Sequence, residues 1–504
     1  KRNCFKNLSS LLLSSSISPK GIVEGVTVTS NPDHSPRWGK IMTCSYISET
    51  YASCFDPFGN AYVATRFSDT LFVEADTFNT GDQNNIDFVL VKYNQNGNIL
   101  WIQYFYGPDN NTPNTLVTDS SGIYIVGFSS QTMYVNNDSI VAQGIGSDIF
   151  QCKLDTAGNF LWGSSSGDAV YADYATSCCL DNDGNLHSAG YFSENATFGQ
   201  FSRTCTSGYD FCLIKQDVVG NILWVAQIAG SASDYEIYVS TDTFGNVYVS
   251  GVLMHTYVEF RNSSNIIDTT IVTGDLKKGF VAKYDSSGFC TWAKHFPGTG
   301  ENDVWALAVS PSGDIFVGGK FQDTLWYTAT DYIVQSPGLG GDGILLHLDT
   351  DGNAIEAPLH FSGTTIAQVF DVVFHQDTLF VALAISGSSS LVDLDPDSIN
   401  QVLIASSNGK IAVIKYVWTQ PSLFTTDSLF VDICGGDSTF FGASWLDQSG
   451  MYTDTIGDTI QILNLTVNPV YSEVEDSAIC DGEIFTWQGT DYSAAGTYFA
   501  KALD

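Results

Sequence analysis

The chain has 504 residues, too many for one ordinary domain and enough for two to four. Its 55 acidic side chains against 20 lysines and arginines leave a net charge of −35, which repels nucleic acid and anionic lipid and excludes nucleic-acid binding as a main function. Most of the acid is Asp, and Gly (46), Phe (32) and Tyr (24) are plentiful, the balance of an all-β, turn-rich protein with divalent cations or neutral glycans as its better-matched partners.

Residues 1–20 read as a leader: basic residues, a short Leu cluster and a Ser run, either a worn signal peptide or a disordered start. No stretch approaches ~18 consecutive apolar residues, so no transmembrane helix is expected. The eleven cysteines form no CxxC pair or zinc spacing. One or two disulfides stay open for an exported chain, with no pattern fixed by the sequence.

From 21 to 418 one phrase recurs: an apolar run ending in Lys, a polar turn with Gly, then an apolar run with Trp. It reads FVLVKYNQNGNILW (88–101), IFQCKLDTAGNFLW (149–162), FCLIKQDVVGNILW (211–224), FVAKYDSSGFCTW (280–292) and ILLHLDTDGNAIE (344–356), and begins again as IAVIKYVW (411–418). The matched positions are Lys92, Lys153, Lys215, Lys283, His347 and Lys415. Between these copies lies strand, D-x-x-G-N turn, strand, as in CFDPFGNAYVATRF (54–67) and STDTFGNVYVSGV (240–252). Asp56, Asp119, Asp181 and Asp242 are placed to cap backbone N–H groups there. Gly59, Gly122, Gly184 and Gly245 are placed to take φ > 0.

Each unit therefore holds four short strands, a to d, with a long b-to-c connection, which is how a β-propeller reads. The sixth unit stops after strand c. SPRWGKIMTCSY (35–46) supplies an orphan strand d, so the fold expected is a six-bladed propeller closed by the N-terminal strand. GIVEGVTVTS (21–30) resembles an additional strand c and keeps seven blades open. After 418 the pattern changes. A β-sandwich-like repeat is expected at 419–468 and part of a second at 469–504, because ICGGDSTFFGASWLDQSGMYTDT and ICDGEIFTWQGTDYSAAGTYFAK align with each other.

Several constellations invite chemistry. GSSSG (163–167) has the spacing of a serine elbow but follows a strand with no helix after it. GLGGDG (338–343) precedes a strand, where a phosphate loop must follow one. Asp181–Gly184 and Asp349–Gly352 resemble starts of calcium loops, yet position twelve is Phe192 or His360, so neither is an EF-hand. Asp393, Asp395 and Asp397 (VDLDPDS) are the better candidate for calcium, since alternate carboxylates converge on a hard cation; the competing reading is a solvated acidic loop. The seven histidines are dispersed, with no catalytic zinc spacing. The repeat-constant Lys/His is expected to be structural, in an exposed pair with a carboxylate worth ~0–1 kcal/mol.

With D-x-x-G-N-x-Y-V-x-G followed by D-x-F-V-x-K-Y-D-x-x-G-x-x-x-W on the page, the 21–418 region resembles the beta-propeller repeat family of bacterial surface and secreted proteins. The 430–504 region is similar to Bacteroidetes-type adhesin repeats, of Ig-like sandwich character, with C-G-D-S and G-x-Y-x-D-T. Gly457-Asp458-Thr459-Ile460 replaces that family's second-Cys segment, so its usual intra-repeat disulfide does not carry over. The resemblance implies export by a type IX secretion system, contact with that outer-membrane machinery, and O-glycosylation at D-(S/T)-apolar triplets. The hydroxyls concerned are Thr70, Ser139, Thr269, Thr324, Ser398, Ser428 and Thr455. Ordinary turn chemistry accounts for the same triplets.

The function expected is a secreted or cell-surface, non-enzymatic adhesin or interaction scaffold, binding an extracellular protein or glycan through loops rich in Tyr, Trp, Asn and Asp. The alternatives are a structural subunit of an extracellular assembly or secretion-system cargo, and a propeller glycoside hydrolase or lyase, which would need two close carboxylates.

Overall fold

The computed structural model describes residues 26–28, 38–40, 42–206, 208–230, 237–254, 256–274, 277–326, 332–333, 341–361, 366–375, 378–386, 390–393, 403–406, 410–417, 425–434, 438–441, 444–456, 459–468, 483–487 and 490–494. The chain divides into two compact units, Lys1–Trp418 and Thr419–Asp504. Among the described residues all regular structure is strand, and no helix is long and apolar enough to cross a membrane.

In the first unit each pair of repeat phrases folds into one antiparallel sheet with strands in the order a-b-c-d. The first sheet is Ile47–Phe55, Ala61–Ser68, Asp87–Tyr93 and Ile99–Tyr106. The second is Asn111–Thr118, Gly122–Ser130, Ser147–Asp155 and Phe160–Ser166. The third is Tyr174–Leu180, Leu186–Phe192, Asp210–Gln216 and Ile222–Ala229. The fourth is Ile237–Thr241, Val247–Leu253, Lys278–Tyr284 and Cys290–His295. The fifth is Asn302–Val309, Ile315–Phe321, Asp342–Leu348 and Leu359–Phe361. The sixth has three strands, Ile366–His375, Thr378–Ser386 and Lys410–Val417. The first five, antiparallel sheets of four to six strands, are consistent with propeller blades.

Consecutive sheets share their cores. One apolar cluster joins the first and second sheets through Tyr62, Phe88, Leu116 and Phe150. Others join the second to the third, the third to the fourth, the fourth to the fifth and the fifth to the sixth. Central strands are therefore buried on both faces, which is why they read as continuous apolar runs rather than alternating ones; Asp87–Tyr93 is buried at every position. Each fully buried Phe or Val contributes ~1.5–3 kcal/mol. The a strands of neighbouring sheets lie against one another, and Thr118 Oγ1 donates to the Phe55 carbonyl (2.8 Å) and Thr176 Oγ1 to the Ile237 carbonyl (2.7 Å).

The long b-to-c connection is a two-stranded hairpin. The hairpins are Thr70–Val73 with Asp76–Asn79, Thr132–Val135 with Asp138–Val141, Asn195–Phe198 with Phe201–Thr204, Tyr257–Arg261 with Ile267–Val272 and Leu325–Trp326 with Tyr332–Ile333. The second to fifth reach back to the end of the sheet before them. Thr132–Val135 pairs with Ile99–Tyr106, Tyr257–Arg261 pairs with Ile222–Ala229, and single bridges join Thr197 to Gly167 and Leu325 to Gly298.

The predicted ring closure, with 35–46 pairing to Lys410–Val417, is not found among the described residues. Trp38–Lys40 pairs instead with Val26–Val28, and Thr43–Cys44 pairs with Thr70–Val73. In the second unit Thr425–Cys434 runs parallel to Thr459–Asn468, which pairs antiparallel with Gly450–Ile456.

Candidate functional site

The repeat-constant residues converge at the turn end of the sheets. In the first sheet Asp56 Oδ1 accepts from the backbone N–H groups of Phe58 (3.0 Å) and Asn60 (2.8 Å), and Oδ2 accepts from Asn60 Nδ2 (2.8 Å). Asp181 and Asp242 repeat this cage with Asn185 and Asn246, so the Asn of D-x-x-G-N is held by the Asp that opens the turn. The second sheet departs from the expectation. Its turn is one residue shorter, Asp119 donates its N–H to the Gly122 carbonyl, and Gly122 starts the strand without a positive φ.

Among the described residues the repeat-constant cation is not exposed, contrary to the sequence expectation; the side chain of Lys415 lies outside them. Lys92, Lys153, Lys215 and His347 are all buried, because their alkyl stems or rings lie in the core between sheets. Lys92 Nζ lies 3.5 Å from Asp56 Oδ2 and Lys215 Nζ 3.2 Å from Asp181 Oδ2. Lys153 Nζ donates to Tyr124 Oη at 2.7 Å. The ammonium of Lys92, Lys153 or Lys283 stands over the ring of Tyr62, Tyr124 or Tyr248 at 4.8, 4.4 or 5.3 Å.

The same cation and the Trp of strand d reach together into the next sheet. Lys92 Nζ (2.9 Å) and Trp101 Nε1 (3.1 Å) both donate to the Thr156 carbonyl. Trp224 Nε1 and Lys215 Nζ share the Ser286 carbonyl, and Trp292 Nε1 and Lys283 Nζ share that of Thr350. Trp162 Nε1 donates to the Val218 carbonyl at 3.1 Å. The constant residues are thus engaged in joining one sheet to the next. No sequence signal for this exists beyond the constancy of Trp and Lys within the repeat.

His187 takes the place of Tyr62, Tyr124 and Tyr248 in the third sheet. Its Nε2 lies 3.1 Å from Asp181 Oδ2, while its buried Nδ1 has no hydrogen-bond partner. Burial holds the imidazole below its usual pKa, against the pull of Asp181. A lowered histidine pKa removes stability as pH falls below about 6.5, the unfolded value, because the unfolded chain then binds a proton that the folded chain refuses. His187→Tyr, which restores the residue of the other sheets, is expected to flatten the stability profile between pH 5 and 6.5, read by urea denaturation at each pH. An unchanged slope would show that His187 is not its source.

Among the described residues no group of three or more His, Cys, Asp or Glu side chains is arranged to hold a metal ion. The side chains of Asp393, Asp395 and Asp397 lie outside the described residues, as do those of Ser398, Ser428 and Thr455. Thr70, Ser139 and Thr269 fall in the hairpins, and Thr324 directly precedes one. Thr70 Oγ1 is engaged by Asn79 Nδ2 (2.7 Å) and donates to Asp69 Oδ1, whereas Ser139 is exposed. Asp69 and Asp323 carry positive φ where the chain turns into the hairpin, so turn geometry accounts for the Asp of those two triplets. The GSSSG segment lies on Phe160–Ser166 and continues as strand to Ser166. Cys152, Cys212 and Cys290 are thiols buried within strands, their pKa values pushed up by burial, and not the disulfide partners allowed for an exported chain.

The opposite end of the sheets carries a surface that sequence reasoning anticipated only in composition. Where the second hairpin crosses onto the first sheet, Tyr134 stands opposite Tyr106 and the rings stack at 5.6 Å. Tyr106 stacks in turn on Tyr104 at 5.1 Å. Tyr106 and Tyr134 are 39% and 41% exposed. Tyr104 Oη donates to Asp87 Oδ2 at 2.8 Å, which fixes its ring. Asp109 and Gln131, joined at 3.5 Å, connect the adjoining loop to the same hairpin. A ladder of rings with amide and carboxylate neighbours is a surface suited to the apolar face of a sugar or to an extended peptide.

No family model matches the chain. A WD repeat-containing protein of Acanthamoeba polyphaga mimivirus, itself uncharacterized, is 24% identical over 271 residues, 48% of this chain and 18% of that protein. The regulatory protein FlaEY of Caulobacter vibrioides is 27% identical over 187 residues, 36% of this chain and 19% of that protein. The matches thus span about a fifth of the length of these curated relatives. Among solved structures, a candidate 6-phosphogluconolactonase of Bacteroides uniformis and a DUF4221 family member of Bacteroides vulgatus each cover 77% of this chain, at TM-scores of 0.32 and 0.31 and 9% identity. They cover 98% and 99% of those chains, and likeness at these scores carries no argument about this one.

Proposed function

We propose that the chain is a non-enzymatic interaction scaffold of the cell surface or extracellular space, in which six sheets form a propeller whose loop end binds a neutral glycan or an extracellular protein. The observation that carries this reading is the Tyr104–Tyr106–Tyr134 ladder, its last two rings exposed, at a sheet-to-hairpin junction. The constant Asp, Lys and Trp support the non-enzymatic part, because they are engaged between sheets rather than directed at a substrate. Closure of the ring is supported at the N-terminus. Thr43–Cys44 stands to the first hairpin as Ile99–Tyr106 stands to the second, and Met42 and Cys44 pack on the outer face of the first sheet. That pairing of Thr43–Cys44 supports reading the N-terminal segment as an outer strand. Calcium at Asp393, Asp395 and Asp397 remains part of the proposal.

The test is retention of the full chain on immobilised neutral glycans and on extracellular-surface protein, with calcium and then with EDTA. The double variant Tyr106→Ala/Tyr134→Ala is expected to bind at least tenfold more weakly, since truncating central aromatic anchors costs about 2 kcal/mol or more. Equal binding by the variant would move the site elsewhere. Recovery of the chain with only itself or with envelope components would favour a structural subunit. Loss with EDTA alone would point to the acidic segment.

A further inference from the structure

The loop end also contains a repeat position where the second-to-third junction differs from its neighbours. Asn111 opens the second sheet by donating its N–H to the Ile86 carbonyl, Asp173 does the same for the third sheet with Ser147, and Asn302 for the fifth with Lys277. These are therefore equivalent positions, one residue ahead of Asp87, Asp148 and Lys278 in register. At the first junction the pair is amide with carboxylate: Asn111 Nδ2 donates to Asp87 Oδ1 at 3.0 Å. At the second it is carboxylate with carboxylate. A Cβ built on Gly167 would stand within 2.6 Å of both Asp148 Oδ1 and Asp173 Oδ2, so both oxygens border the same small space, just as one built on Gly107 would meet Asn111 Nδ2.

Both acids are fully buried. Asp148 Oδ2 accepts from the Gln143 N–H and from Ser165 Oγ (3.3 Å), but its Oδ1 has no hydrogen-bond partner. Asp173 accepts from the N–H groups of Asp168 (2.7 Å) and Ser193 (2.8 Å). Asp168, from the same loop, holds the Val170 and Tyr171 N–H groups and Ser193 Oγ. The other titratable group beside Asp173 is Cys212, on strand c of the third sheet. No cationic side chain pairs with Asp148, Asp168 or Asp173 among the described residues.

We propose that Asp148 and Asp173 share one proton at neutral pH, and that this proton supplies at the second-to-third junction the donor that Asn111 supplies at the first. The junction is then a pH-sensitive joint within an otherwise uniform repeat. Like charges in a buried pair cannot both ionise without cost. In keeping with this, burial first, and the carboxylates of Asp168 and Asp148 after it, push Asp173 up to about 8, against the two N–H groups it accepts. Burial pushes Asp148 up to about 6. For an acid whose folded pKa is raised, stability is fully present below the unfolded value near 3.9. It is lost as pH rises, until the folded value is passed.

The experiment is amide hydrogen exchange of the full chain at pH 6 to 8, corrected for the intrinsic rate and read over 167–180. In the natural sequence the opening equilibrium of this segment is expected to rise about tenfold per pH unit, one proton being lost. Asp173→Asn, which installs the amide of Asn111, is expected to abolish that rise. Asp183→Asn, on an exposed turn and with the same change in charge, is expected to keep it. If Asp173→Asn does not fold, Asp148→Asn tests the same pair from its other side. An undiminished slope in either variant would overturn the shared proton. So would calcium restoring protection at pH 8 in the natural sequence, because a cation would then bridge the two acids.

Discussion

Gly220→Ala is expected to cost the 1–418 unit about 2–5 kcal/mol, the sum of ~1–2 for a side chain in the left-handed region and ~1–3 for overpacking. Gly220 sits at φ +91°, in the c-to-d turn of the third sheet. A Cβ there would stand 2.6 Å from Trp162 Cδ2, on the outer strand of the second sheet. The ring cannot retreat, because its Nε1 is tied to the Val218 carbonyl two residues before the glycine. Gly245 separates the two contributions. Its φ of +82° is alike, but the nearest atom to its Cβ is Ser286 Cβ at 3.7 Å. Gly245→Ala should therefore lose only the backbone part, ~1–2 kcal/mol. Urea denaturation followed by tryptophan fluorescence measures both. Equal losses in the two variants would mean that the Trp does not press on the turn.

Gly220 also shows what the sequence made legible and what it did not. Its turn, DVVGN, was readable because a tight turn between two apolar runs needs Gly and an Asp cap, and those needs are local. The strands were readable for the same reason: FCLIK and ILW carry their burial in their composition. The partner of the turn was not readable. Trp162 lies 58 positions away, and it reaches the turn because consecutive sheets stack, a contact that no local period encodes. The misplaced Lys has the same origin. A lysine after an apolar run looks like the polar end of a strand, and only the neighbouring sheet reveals a carbonyl inside for it to meet, beside the carboxylate of its own sheet. The strand bounds within the b-to-c hairpins were faint for a different reason. NATFGQFSRT and TLFVEADTFN are short and half exposed, so their alternation is weak; backbone pairing to the preceding sheet holds them in place. The tyrosine ladder combines the two cases. Tyr104 and Tyr106 alternate visibly on one strand, but Tyr134 joins them only through that pairing.

Lys215→Ala should lower stability by about 3 kcal/mol, the low end of the range for breaking a buried ion pair. The reason is Asp181, which is buried and must stay ionised to hold its turn. Burial alone would raise its pKa, but the hydrogen bonds from His187 and Asn185 outweigh that and keep the carboxyl well below the usual range. Those bonds remain in the variant, so Asp181 is not stripped bare, and the cost stays at the low end. What it loses is the Lys215 ammonium at 3.2 Å, together with the bond from that ammonium to the Ser286 carbonyl of the next sheet. Lys283→Ala supplies the comparison. Lys283 is only half-buried and offers its ammonium to the Thr350 carbonyl and the Tyr248 ring, so its loss should cost nearer 1 kcal/mol. The pH dependence distinguishes the roles further. A carboxylate held low in the folded state gives stability that is present above the unfolded value near 3.9 and is lost as pH falls through the folded one. Removing Lys215 should therefore bring acid unfolding to a higher pH, while removing Lys283 should leave it in place. Identical acid transitions in the two variants would mean that Asp181 does not depend on Lys215 for its charge, and that the lysine serves only to tie one sheet to the next.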